Sequence, residues 1–242
     1  MSKGPGDLFQ VGTKYSRHNV PAGMLSGVYP PQPYKRYEDV PVLPLPEPST
    51  EGGRPLWEVV RRRRSVRRYA QRPLTLIELS QLLWATQGIT AHKGGYALRS
   101  APSAGALYPV ETYLVVNAVE EVSPGAYHYE VGTHRLAQLK RGRFGPLVAE
   151  AALGQTKLER CAVIFIWSAV LPRITWRYHQ RSYRYIYLDA GHIAQNLALA
   201  AAGLDLGTCQ IGAFFDDELN EFLALDGTDE TVIYLSAVGP LP

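Results

Sequence analysis

Two cysteines in 242 residues cannot staple a domain of this size. Neither Cys161 nor Cys209 sits in a Cys-x-x-Cys pair, so no disulfide framework and no zinc site is indicated, and a reducing, cytoplasmic setting is the expectation. Long apolar runs are also missing. The longest, Cys161 to Trp167, is far short of the ~18 residues a membrane span needs, and the first ten residues hold no apolar stretch of signal-peptide length. A soluble, intracellular protein is expected. No Gly-x-Gly-x-x-Gly follows a predicted strand, and after Gly207 and Gly212 the pair Ala213-Phe214 stands where a phosphate loop needs Lys-Ser/Thr. There is no His-Glu-x-x-His, the six histidines show no metal spacing, and Ser103 lies in Pro-Ser-Ala-Gly rather than Gly-x-Ser-x-Gly. Dinucleotide folds, P-loop enzymes, zinc proteases and elbow hydrolases are therefore unsupported, and no metal site is expected.

What is present is ordinary globular composition, 46% hydrophobic and 19% charged, enough to bury a core. Ten of the 18 prolines lie at or before Pro55, so residues 1–54 read as an extended arm preceding one domain over 55–242. The arm carries Leu8, Phe9, Tyr15, Tyr29, Tyr34 and Tyr37, which argues that it packs on its own domain or on a neighbouring subunit. A helix opens at Pro55, and a second at Thr75, where Thr75 and Glu78 form a capping box and the apolar face runs to Gly88. Strands are predicted over 111–117, 126–131, 135–140, 161–169 and 232–238, with a long helix over 182–202. Helices and strands interleave without a βαβ rhythm, which favours an α+β fold.

Three segments carry candidate chemistry. Arg61-Arg62-Arg63-Arg64-Ser65-Val66-Arg67-Arg68 holds six arginines in eight residues, and without them the chain is formally −3, so the positive charge is local. Guanidinium forks bind phosphate bidentately and a serine hydroxyl adds a neutral donor; the competing reading is a solvated helix end whose arginines complement the dipole. A nucleic-acid patch is disfavoured, because no further basic stripe accompanies the run. Pro102-Ser103-Ala104-Gly105-Ala106-Leu107-Tyr108-Pro109 is a small-residue stretch that lets backbone approach a planar ligand, or else a tight structural loop. Arg177-Tyr178 lies in an aromatic, basic segment where a phenol beside a cation can serve as acid or base, or where the surface simply packs on a partner chain. His192, Gln195 and Asn196 in the long helix read as satisfied core polar groups.

Taken in order, these segments resemble the FMN-dependent nitroreductase-like family, and within it the SagB-type dehydrogenases, which include oxidases of peptide thiazolines and oxazolines. The likeness runs from Thr13-Lys14-Tyr15-Ser16-Arg17-His18 through the arginine run, the 101–109 segment and Leu188-Asp189-Ala190-Gly191-His192 to Gln210-Ile211-Gly212 and Ala237-Val238-Gly239-Pro240. The resemblance implies an α+β fold with a central, mainly antiparallel sheet flanked by helices, in an interlocked homodimer with FMN at the interface. Arg63, Arg64 and Ser65 would then hold the phosphate and ribityl chain, and Arg67 would face the flavin N1/O2 edge. Pro102, Ser103, Ala104 and Gly105 would line the ring from the partner subunit, with the backbone of Gln210, Ile211 and Gly212 near N5. The family often places Lys or Arg beyond the last strand as a phosphate clamp; here the sequence stops at Pro242, and the arginine run is expected to serve instead. Azole-forming members use a Lys-Tyr pair for proton removal, and Arg177-Tyr178 stands at the matching place.

The implied activity is an FMN-dependent oxidoreductase working by hydride transfer at flavin N5 in a ping-pong cycle. Its substrate would be a small molecule or a peptide. One route is NADH- or NADPH-dependent reduction of nitro or quinone-like compounds; another is oxidation of an organic substrate, with a peptide azoline-to-azole step in a modifying complex as its sharpest form. An inactive flavin-binding or scaffold protein is the remaining alternative. Neither nucleic acid nor membrane is an expected partner.

Overall fold

The computed structural model describes residues 4–18 and 31–242, so Tyr29 of the arm lies outside the described residues. The arm is less uniformly extended than its prolines suggest. A helix α1 spans Pro5–Gly12, with Pro5 in the first turn, where a missing N–H costs no hydrogen bond. Residues Val42–Pro44 form strand β1. Helices α2 (Leu56–Arg62) and α3 (Leu76–Gln87) follow, and α3 has its Thr75–Glu78 capping box in both directions. A hairpin of β2 (Ile89–Lys93) and β3 (Tyr96–Arg99) precedes three sheet strands, β4 (Val110–Val116), β5 (Gly125–Glu130) and β6 (Arg135–Arg141). Two short helices, α4 (Gly145–Ala151) and α5 (Lys157–Arg160), lead to β7 (Val163–Val170). Beyond it come α6 (Pro172–Tyr178), the long α7 (Ser182–Gly203), β8 (Leu206–Ile211), α8 (Asp216–Leu223) and β9 (Glu230–Pro240).

Seven strands make one sheet in the order β1-β6-β5-β4-β7-β9-β8, and every adjacent pair is antiparallel. The mainly antiparallel α+β expectation is met. Strand β4 is buried along its whole length because both of its faces are covered. Val110, Leu114 and Val116 pack with Leu79, Leu82 and Leu83 of α3 and Ile193, Ala194 and Leu197 of α7. Tyr113 and Val115 face the other way, onto Val148 and Ala149 of α4 and Leu219 and Phe222 of α8.

The charged side chains on that second face are tied to one another, although the Nδ1 of His128 stays buried without a partner among the described residues. Glu111 accepts a hydrogen bond from Arg173 Nη1 at 2.5 Å and lies 2.8 Å from His128 Nε2. Burial alone would raise the Glu111 pKa, but the His128 hydrogen bond and the Arg173 charge outweigh it and hold the carboxyl down at about 2. The arm is pinned at the same face: Lys35 Nζ donates to Glu230 Oε2 at 2.5 Å, and the Tyr37 and Tyr113 hydroxyls meet at 3.0 Å. Four of the arm residues expected to pack do so on their own domain: Phe9 under Arg184, Tyr15 under Arg181, Tyr34 against Gly132 and Tyr37 against the second core.

Two stability measurements follow. Thr75→Ala removes the acceptor for Glu78 N–H and is expected to cost about 1 kcal/mol in urea unfolding. The Glu111 carboxyl has a folded pKa below its unfolded value of about 4.3, so its contribution is complete above that value and is lost as pH falls toward 2. Urea midpoints between pH 5 and 2.5 should therefore fall more steeply for the natural chain than for Glu111→Gln. Parallel slopes would remove this carboxylate from the acid response.

Candidate active site

The arginine run divides by partner. Arg62 pairs with Asp205 at 2.7 Å and with Glu58 at 3.2 Å, and the Arg64 guanidinium folds back onto the carbonyls of Arg61 and Arg63 at 3.0 and 2.7 Å. Those two side chains serve the end of α2, which is the plain helix-end reading of the run. Arg63, Ser65, Arg67 and Arg68 make no side-chain hydrogen bond or ion pair among the described residues.

Past the helix the chain is laid along the edge strand of the sheet. Val66 N–H donates to the Thr208 carbonyl at 2.7 Å, and a Cβ on Gly207 would stand 2.7 Å from the Val66 side chain, so the absence of one lets the segment lie flat on β8. Tyr69 closes the run by donating to the Val66 carbonyl at 2.8 Å while its ring packs over Gly239. Arg67 and Arg68 are thereby held at the mouth of a cavity of about 580 Å³. Its opposite wall is the α4–α5 turn, with Gly154, Gln155, Thr156, Lys157 and Arg160, and no carboxylate lines it. Gln155 Nε2 donates to the Ala213 carbonyl at 3.1 Å and Lys157 Nζ to Gln155 Oε1. Ala213 directly follows Gln210, Ile211 and Gly212, so the cavity and the end of β8 are one neighbourhood. Within it Gln210 donates to the Ala194 carbonyl of α7 at 3.3 Å, Ile211 is buried, and Gly212 is exposed.

The second group of expected residues gathers at the start of β4. Asp189 of α7 accepts from Ser103 Oγ at 2.5 Å and from Ala104 N–H at 3.3 Å, and Ser103 Oγ in turn accepts from Tyr108 N–H at 3.0 Å. Burial raises the Asp189 pKa, against the hydrogen bonds from Ser103 and Ala104 and the influence of His192. Gly105 has φ +65°, and a Cβ there would stand 2.6 Å from Tyr178 Oη and 3.2 Å from Arg177 Nη1. Only glycine permits both this backbone and this approach. The Arg177-Tyr178 pair therefore lies directly over the loop 102–105 of its own chain. Tyr178 is braced edge-on by Tyr185 at 5.0 Å, with the Arg177 guanidinium 5.5 Å from the Tyr178 ring. Pro102 is exposed beside it.

Both groups lean on α7, through Asp189 and Ala194, about 7.5 Å apart along the axis by helix rise. Among the described residues no hydrogen bond or ion pair joins the Arg67 cavity to the loop 102–105 within one chain. His192 and Gln195 are exposed rather than buried core groups; only Asn196 matches that reading, donating to the Ala85 carbonyl at 3.1 Å. The thiol of Cys161 is pushed up to about 12 by burial and is not a nucleophile. No cluster of metal-ligating side chains occurs among the described residues.

Sequence reasoning missed Gln155 and Lys157, and it gave Asp189 no role. Gly154-Gln155-Thr156-Lys157 reads only as a polar stop after an apolar helix; nothing in its residue types anticipates that the sheet edge brings it opposite Arg67.

Comparison with known proteins places the fold in a family. A protein of Methanocaldococcus jannaschii described as a nitroreductase is 40% identical over 70% of this chain and 84% of its own length. The trifolitoxin-processing protein TfxB of Rhizobium leguminosarum bv. trifolii is 31% identical over 58% of this chain and 39% of its own. A crystal structure described as a nitroreductase of Anabaena variabilis superposes with a TM-score of 0.78 at 29% identity, covering 98% of this chain. The present chain spans 47% of that protein, about half its length. The family model described as the nitroreductase family matches residues 60–240, from the arginine run to the end of β9, and the chain belongs to that family.

Proposed function

We propose that this chain is an FMN-dependent oxidoreductase whose site is completed between two copies of the chain. The observation that carries the reading is the cavity beside Arg67. Cations from two separate segments surround it, no carboxylate lines it, and Gln155 offers a neutral amide, a donor set suited to an anionic cofactor with a polar ring edge. A nitroreductase-family structure of 18% identity described as a complex with FMN shares the fold. FMN, when bound, supplies reversible two-electron exchange of the hydride type.

The chain's own residues would do the rest. Arg63 and Ser65, whose side chains make no hydrogen bond or ion pair among the described residues, would hold the phosphate end; Arg64 is partly committed to its helix carbonyls. Arg67 would place a permanent positive charge where negative charge accumulates on reduction. Gln155, oriented by Lys157 and Ala213, would present amide donor and acceptor to the ring edge. Loop 102–105 sits away from this cavity, and α7 leaves Tyr187 and Leu188 more than half exposed, which supports a second copy bringing its loop across.

Two substrate classes fit. NADH or NADPH with a nitro or quinone-like acceptor is one. A peptide azoline is the other, and the likeness to a trifolitoxin-processing protein favours it. In that route Tyr178 Oη is the group positioned to move a proton. Arg177 stays charged and steadies the phenol rather than acting as base.

The purified protein should show a flavin absorption spectrum, with FMN as the released cofactor. Arg67→Ala should weaken FMN binding at least tenfold in a fluorescence titration without altering the flavin-free melting temperature; unchanged affinity would remove Arg67 from the site. Anaerobic NADH or NADPH that bleaches the flavin supports the reductase route, and a bound flavin indifferent to both supports the peptide route. Tyr178→Phe should leave FMN affinity intact and slow substrate oxidation by roughly 10²-fold. A colourless protein that cannot be reconstituted with FMN overturns the whole reading.

A further inference from the structure

A second cavity, about 400 Å³, lies between the β2–β3 hairpin, the arm at Tyr34 and the loop at Leu107 and Tyr108. Its walls are aromatic, from Tyr34, Tyr96 and Tyr108, and its charge comes from Arg99 and Arg173. These two arginines are equally inaccessible, 8% and 5% exposed, yet they are partnered very differently.

Arg173 is compensated. Glu111 takes its Nη1 at 2.5 Å and the Gln32 carbonyl takes its Nε at 3.1 Å. Arg99 has only the neutral Gln87 Oε1, at 2.8 Å from Nη1; its Nε is buried without a partner, and no carboxylate lies within ion-pair distance among the described residues. The rings of Tyr108 and Tyr34 flank its guanidinium, with centroids 4.5 and 5.7 Å from Cζ. Burial draws its pKa below the ordinary value; Glu111 opposes the fall and Arg173 adds to it. A buried cation with no carboxylate in direct contact is costly, and this one is held beside a second cation at a cavity large enough for a small ligand.

We propose that this cavity binds the carboxylate of a small organic acid, the carboxylate filling the place beside Arg99 that no protein anion occupies and the acid's body lying against the three tyrosines. The two nearby rings restrict the guanidinium's movement, which favours bidentate recognition of a planar carboxylate. The loop that walls the cavity at Ala106 continues directly into Gly105, under Tyr178 Oη. As an anchor for the substrate of the oxidoreductase the proposal rests on the function above; as a binding site it does not.

The test is calorimetric titration of the purified protein, with and without added FMN, using benzoate and its neutral isostere benzamide. Benzoate should bind at least tenfold more tightly than benzamide, and equal binding to the unmodified protein overturns the proposal whatever the variants do. Arg99→Gln, which keeps a polar contact toward Gln87, should abolish the preference, and Tyr96→Ala, at an exposed position on the rim, should weaken benzoate severalfold. Arg67→Ala should leave the preference intact; if it instead abolishes it while Arg99→Gln does not, the anion lies in the first cavity and the proposal fails. Acetyl-phenylalanine with a free carboxylate identifies the source, since tighter binding than benzoate points to a peptide C-terminus and weaker binding to a free acid, both within the proposed site. Flavin content is read separately from the visible spectrum, so loss of the flavin reading and loss of the carboxylate site are distinguishable.

Discussion

The structure depends on a sheet whose central strands are buried on both faces. Strands β4 and β7 expose almost nothing, because α3 and α7 cover one side and α4, α5 and α8 the other. Such a sheet cannot carry an unpaired polar group in its interior without paying its desolvation. Glu111, His128 and Arg173 are tied together for that reason, and Lys35, Tyr113 and Glu230 likewise. The proposed ligand-facing groups lie instead at the sheet's margins. The outer edge at β8 carries the Arg67 cavity, and the entrance to β4 carries Gly105, Tyr178 and Arg99.

Helix α7 makes those margins cohere. It crosses the sheet as the main apolar cover, yet Asp189 breaks its buried stripe with a carboxylate whose two oxygens hold Ser103 and Ala104. Without it the loop 102–108, with positive φ at Gly105, Ala106 and Tyr108, would have little to hold its strained backbone. The same helix takes Gln210 through the carbonyl of Ala194. One rigid element thus holds both residue sets of the chain, the loop 102–105 and the end of β8, in fixed positions.

Much of this was legible in the residue order. The capping box at Thr75, the apolar strands at β4 and β7 and the length of α7 each follow from local chemistry, and the structure reproduces them within a few residues. Strand β8 was not predicted as an element, because Gly207 and Thr208 weaken its pattern; it becomes a strand through pairing with β9 along its full length. Helix α1 was hidden by proline and glycine, and gains its support from Arg184, which reaches the Gln10 carbonyl and the Thr13 hydroxyl. The site divides in the same way. Arginine and small-residue segments announce themselves by type, whereas Gln155 and Lys157 acquire meaning only when folding brings two distant turns face to face.

The arginines show why residue type alone cannot assign a role. Guanidinium groups of one chemistry serve four ends here: Arg62 neutralises Asp205 at the surface, Arg64 caps a helix, Arg173 balances a buried glutamate, and Arg67 faces an open cavity. What separates them is the count of acceptors each environment supplies. A surface pair such as Arg62–Asp205 is worth little to stability and can be lost cheaply. The buried Arg173–Glu111 pair cannot lose one member without stranding the other. Arg67 and Arg99 differ from both, because the fold brings cationic donors to a cavity and supplies no anion to meet them. Arg67 is exposed, and water can meet its donors, so its place beside the cavity and not any lack of partners marks it out. Arg99 is the buried case, with an Nε that no protein acceptor meets, and a protein that needed it only for stability would gain by pairing or replacing it.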